Sequence, residues 1–125
     1  MTNLQFHHQY QQDIVQHVSD HVSNDEKAEK HLSAIYGAAF GPALYRACVK
    51  TWGCGPAVAT ARLSDAADEI AAAWALKDDL AGLLLRKDGL SYVPLYLSSE
   101  ALAYKLCGKS DLWISFYAIN KELKP

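Results

Sequence analysis

Apolar residues recur every fourth position from Phe6 through Tyr10, Ile14 and Val18 to Val22, with Gln, Asp and His between them. That spacing predicts an amphipathic first helix with one stripe turned to a core. Ser23-Asn24-Asp25-Glu26 then reads as a stop and a new start. Ser23 as cap, with Glu26 three residues later, would satisfy two backbone donors left over at a helix N-terminus. The helix that follows sets Ala28, Leu32, Ile35 and Ala39 on one side. Gly37 weakens it and Gly41-Pro42 punctuates it. Pro42 suits the first position of a short helix reaching Thr51, with Leu44, Ala47, Cys48 and Thr51 along one face.

Trp52-Gly53-Cys54-Gly55-Pro56 is the sharpest break in the chain, because two glycines and a proline cannot continue a helix cheaply. Pro56 opens the next helix. Its period runs through Leu63, Ala66, Ile70, Trp74, Lys77 and Leu80 to Leu84, either as one long helix or as two with a restart at Ser64-Asp65. Lys77 falls at the edge of this stripe with its stem over apolar surface.

The pattern changes in the last forty residues. Asp88-Gly89, flanked by Leu83-Leu84-Leu85 and by Leu90, Tyr92, Leu95 and Leu97, is a hairpin signal. Pro94 belongs on an edge strand or at a bend. Ser98 or Ser99 caps a helix whose apolar positions are Ala101, Leu102, Leu106 and Cys107, ended by Gly108. Residues 111–120 alternate in a way that suits a buried strand better than a buried helix, and 121–125 read as a polar tail. The expected fold is α+β and mostly helical: four or five helices with a small antiparallel β element in the C-terminal third, as a single domain over residues 1–125. An all-α bundle is the alternative.

Composition narrows the function. Half of the 125 residues are hydrophobic, including three Trp, seven Tyr and three Phe, enough for a core without disulfides. The formal net charge is -2 and no Lys/Arg cluster exceeds Arg86-Lys87, so there is no basic stripe for a phosphate backbone and no nucleic-acid partner is expected. No stretch approaches the ~20 apolar residues of a membrane span, so no membrane insertion is expected. Three cysteines, an odd number, do not make a secreted disulfide framework, and the N-terminus carries no secretory pattern; the expected location is cytoplasmic.

Candidate chemistry is sparse. Cys54, just before the helix that Pro56 opens, is a possible reactive thiol, because the helix N-terminus favours a thiolate. The nearest histidine in sequence is His31, however, and a cysteine beside glycine is ordinary in loops. Asp13, His17 and His21 stand one turn apart, a spacing that can hold zinc or nickel. The pattern is permissive, and no metal ligand, cofactor or catalytic residue is assigned. The carboxylates Asp65, Asp68, Glu69, Asp78 and Asp79 form an acidic set suited to a basic partner. Tyr92 and Tyr96 supply large area with a polar handle, as protein interfaces do. The expectation is therefore a non-enzymatic protein–protein interaction module: an adaptor, inhibitor or regulatory subunit that binds another protein or itself. The alternative is a thiol enzyme or a small-ligand or metal-binding protein centred on Cys54 or on His17 and His21.

Overall fold

A computed structural model describes residues 22–88, 91–108 and 111–124. The first expected helix lies outside these residues, save for its last position, Val22, which is buried in the core. Among the described residues the chain forms six helices and a three-stranded antiparallel sheet. In order they are α1 (Asp25–Tyr36), α2 (Phe40–Trp52), α3 (Pro56–Asp65), α4 (Ala67–Ala75), β1 (Gly82–Asp88), β2 (Ser91–Leu97), α5 (Glu100–Leu106), β3 (Leu112–Ser115) and α6 (Phe116–Leu123). None of these helices is long and apolar enough to cross a membrane.

Helix α1 begins one residue later than the pattern indicated. Asn24 rather than Ser23 is its cap, with Oδ1 accepting from the Lys27 N–H at 2.9 Å, and Asp25 and Glu26 fill the first turn, where the helix dipole favours negative charge. Ala28 and Leu32 are buried as expected, but Ile35 is exposed and Ala39 lies outside the helix. Helix α2 starts at Phe40, two residues before Pro42. It crosses α1 so closely at Gly41 that a Cβ there would stand 2.5 Å from the Leu32 carbonyl oxygen. Leu44, Ala47 and Cys48 face the core and Thr51 does not.

Pro56 occupies the first turn of α3, and the helix ends at Asp65, so the chain is split rather than one long helix, but Ser64 and Asp65 close the first helix instead of starting the second. Ala66, at φ -117° and ψ 34°, interrupts the ladder, and α4 stops at Ala75. Phe40 stacks on Trp74 at 4.7 Å, and Trp74 meets the edge of Phe116 at 5.3 Å, which joins α2, α4 and α6. Lys77 lies over the Trp74 ring, 5.4 Å from its centroid. Arg46 ties α1 to α6 by pairing with Glu29 and, at 3.2 Å, with Glu122; Lys50 reaches Glu122 at 2.5 Å. The polar tail is thus a helical turn anchored by Glu122.

The sheet order is β2-β1-β3, with Asp88 paired to Ser91 at the hairpin end and Leu84 paired to Trp113 on the other side. Alternation splits the sheet between two cores. Leu83 and Ile114 join the large cluster formed by α1, α2, α3, α4 and α6, whereas Leu84 and Trp113 join Ala103 of α5 on the opposite face. Gly82 permits this second cluster: a Cβ there would lie 2.6 Å from the Trp113 ring. Residues 111–120 turn out to be both elements in succession. After four strand residues, the Ser115 hydroxyl accepts from the Tyr117 N–H at 3.1 Å and starts α6.

Candidate functional site

Strand β2 is an edge of the sheet, and two of its side chains are exposed on opposite faces, Val93 at 41% and Tyr96 at 40%. Residues of an antiparallel strand point their backbone groups alternately to one neighbour and away. The Leu97 carbonyl faces inward, accepting from Ala81 N–H at 2.8 Å. Tyr92, Pro94 and Tyr96 therefore direct their backbone groups outward. Pro94 has no N–H, so the free edge lacks the middle of its three outward donors, a known guard against strand pairing. The β3 edge is closed differently: the Trp52 indole Nε1 donates to the Trp113 carbonyl at 3.2 Å.

On the face toward the helical layer, the Tyr96 hydroxyl donates to the Glu69 carbonyl at 2.9 Å, bringing together two members of the acidic and aromatic sets. Burial pushes the Tyr96 phenol up, and the Glu69 charge adds to it. Tyr36, on the same side, donates to the Leu63 carbonyl at 2.5 Å and is raised first by burial, with Cys48, Glu69 and Asp68 contributing. Asp68 and Glu69 are exposed in the first turn of α4. Asp78 and Asp79 are exposed in the turn after α4, and Asp65 is half-buried at the end of α3. The Tyr92 side chain lies outside what the structure describes.

The other face of β2 carries a surface that the sequence did not single out. Helix α5 buries only Ala103, leaving Leu102 at 42%, Tyr104 at 66% and Leu106 at 43% exposed. Leu102 and Leu106 stand one turn apart, on one flank of the helix. The Tyr104 ring approaches Trp113 edge-on at 6.3 Å. Ser99 caps the helix, and Arg86 of β1 binds its end, donating from Nη2 to the Leu106 carbonyl at 2.9 Å. The same guanidinium reaches Asp111 Oδ2 at 3.3 Å, and Gly108 N–H donates to that oxygen at 2.8 Å. These bonds hold α5 on the sheet even though it buries a single side chain. Spacing alone could not find this face, because Leu102 and Leu106 look like a core stripe until the small Ala103 proves to be the contact.

The Cys54 thiol is half-buried between Gly53 and Gly55. Burial pushes it up and the Arg62 guanidinium pulls it partly back, the opposite of the depression expected from a helix N-terminus. His17 and His21 lie outside the described residues, among which no group of three metal-ligating side chains occurs. A further groove of about 420 Å³ opens between α2 and α6, lined by Ala47, Lys50, Thr51, Ala118, Lys121 and Glu122. No family model, curated protein or solved structure matches the chain.

Proposed function

We propose that this protein is a non-enzymatic interaction module that binds another protein through the surface around β2. The observation that carries the reading is the set of exposed apolar side chains on both faces of the guarded edge strand: Val93, Leu102 and Leu106 on the α5 side, with Tyr104 extending that side toward β3, and Tyr96 on the α4 side. Recognition runs through side chains, since Pro94 interrupts the backbone donors that a pairing strand would use. Asp68 and Glu69, next to Tyr96, favour a partner that brings Lys or Arg to that corner. Interfaces of this kind place apolar and aromatic anchors at the centre and charges at the rim.

The test is affinity capture of the tagged full chain from its native lysate, beside the variants L102S/L106S and D68N/E69Q. All four positions are exposed, so the fold is expected to survive both changes. A stoichiometric partner should accompany the unaltered protein, be lost with L102S/L106S, and dissociate at lower salt from D68N/E69Q. Equal retention of the partner by all three proteins would overturn the reading.

A further inference from the structure

Strands β2 and β3 lie on opposite sides of β1, and the chain crosses from one to the other through α5. On the face that this crossover covers, Leu84 and Trp113 meet Ala103, the buried residue of α5; the other six residues of the helix are exposed. A helix of seven residues does not hold itself in water and depends on what it is fastened to. Its C-terminal end is fastened by polar bonds. Arg86 Nη2 donates to the Leu106 carbonyl at 2.9 Å, the same guanidinium reaches Asp111 Oδ2 at 3.3 Å, and the Gly108 N–H donates to that oxygen at 2.8 Å. In the layer beneath, Trp113 is 7% exposed and its indole Nε1–H has no hydrogen-bond partner. A donor buried without an acceptor opposes the closed arrangement, because it would recover a bond on meeting water. The cover therefore buries one methyl group, rests on a polar latch and traps an unpaired donor.

We propose that α5 is a displaceable strap: released at the Arg86–Asp111 latch, it opens as a unit while the sheet and the large core stay folded, and it uncovers Leu84 and the Trp113 indole N–H. Such sub-global openings draw on segments with few buried apolar contacts, and α5 is one. Leu102 and Leu106 ride on the strap, so opening withdraws two anchors from the face around β2. Resting on the reading of that face as the partner surface, a bound partner selects the closed strap and holds it shut. The strap thereby sets how much of the free protein is competent to bind.

Hydrogen exchange of the free full-length chain, followed by NMR, tests the strap without any partner, so its outcome is separate from that of capture from a lysate. Three N–H groups are compared after correction for their intrinsic rates: the Trp113 indole, assigned by its loss in W113F; the Ala103 amide, which bonds to the Ser99 carbonyl at 3.1 Å; and the Ile70 amide of α4, which bonds to the Ala66 carbonyl at 3.0 Å. The Trp113 indole and the Ala103 amide should open with one common equilibrium constant, larger than that of Ile70. In D111N, and in R86Q, which breaks the same latch from β1, both should open about tenfold more while Ile70 is unchanged. An Ala103 amide that exchanges fast beside a Trp113 indole as slow as Ile70 would overturn the proposal, because α5 would then fray without uncovering the sheet. Exchange of all three at one rate would overturn it equally, since α5 would open only with the whole fold.

Discussion

The Tyr96 hydroxyl bonds to the main-chain carbonyl of Glu69 across 2.9 Å, joining the free strand of the sheet to the first turn of α4. This bond places an aromatic ring beside two exposed carboxylates, and it fixes where the acidic rim sits relative to the edge. Replacing Tyr96 by Phe keeps the ring and removes the bond. The expected loss is about 0.5–1.5 kcal/mol, toward the lower end because the site is partly solvated. Urea denaturation checks it; an unchanged midpoint would mean that the bond contributes nothing.

The alkaline limit of stability should be set by buried phenols. Tyr36 and Tyr45 are both held above the ordinary value of 10.0, first by burial and, for Tyr45, by donating to Asp25 at 2.5 Å. Above pH 10 the unfolded chain sheds these protons while the folded chain keeps them. Their stabilising contribution is therefore complete below pH 10 and falls as pH rises beyond it. The denaturation midpoint should stay level up to about pH 10 and fall as pH rises beyond it, less steeply in Y36F/Y45F. Glu122 has the opposite sign: Lys50 and Arg46 hold its carboxyl below 4.5, so its contribution is lost as pH falls beneath that value.

Pro94 should be a guard as well as an edge residue. In P94T the third outward N–H is restored on β2, and an uninterrupted row of donors invites pairing with a second copy. Sedimentation velocity over a concentration series should show association in the variant beyond that of the unaltered protein. Identical profiles would show that the edge is blocked by something other than the missing donor.

Asp111 should govern α5 more than the rest of the fold. Its side chain is 8% exposed and receives Arg86 and the Gly108 N–H. In D111N the charge-assisted bonds are lost, at an expected cost of about 1–3 kcal/mol. Hydrogen exchange should accelerate across 100–108 while α2 stays protected. Uniform acceleration would assign Asp111 a global role instead.

Local signals carried much of the architecture into the sequence. Asp88-Gly89 between apolar runs marks the hairpin, Pro94 marks an edge, Pro56 a helix start and Ser99 a cap, and each of these acts within a few residues of itself. The break near Ser64-Asp65 was legible only as one of two readings, and its place at Ala66 was not, because the apolar period continues across it from Leu63 to Ile70. Nor was the change from strand to helix at Ser115, where a cap sits inside an unbroken apolar run and alternation lasts only four residues. The site is less legible for a related reason. Glu69 and Tyr96 are 27 positions apart and meet only through tertiary packing, and the exposure of Leu102 and Leu106 depends on Ala103 being the side chain small enough to touch the sheet.

The most direct measurement is hydroxyl-radical footprinting of the protein alone and in the complex captured from its native lysate. Protection at Tyr96, Leu102, Tyr104 and Leu106, with Tyr117 on α6 unchanged, is the expected result; Tyr117 is 70% exposed and serves as the internal reference. Protection confined to Tyr117 and the α2–α6 groove, or a protein that co-purifies with nothing, would contradict a partner-binding surface around β2.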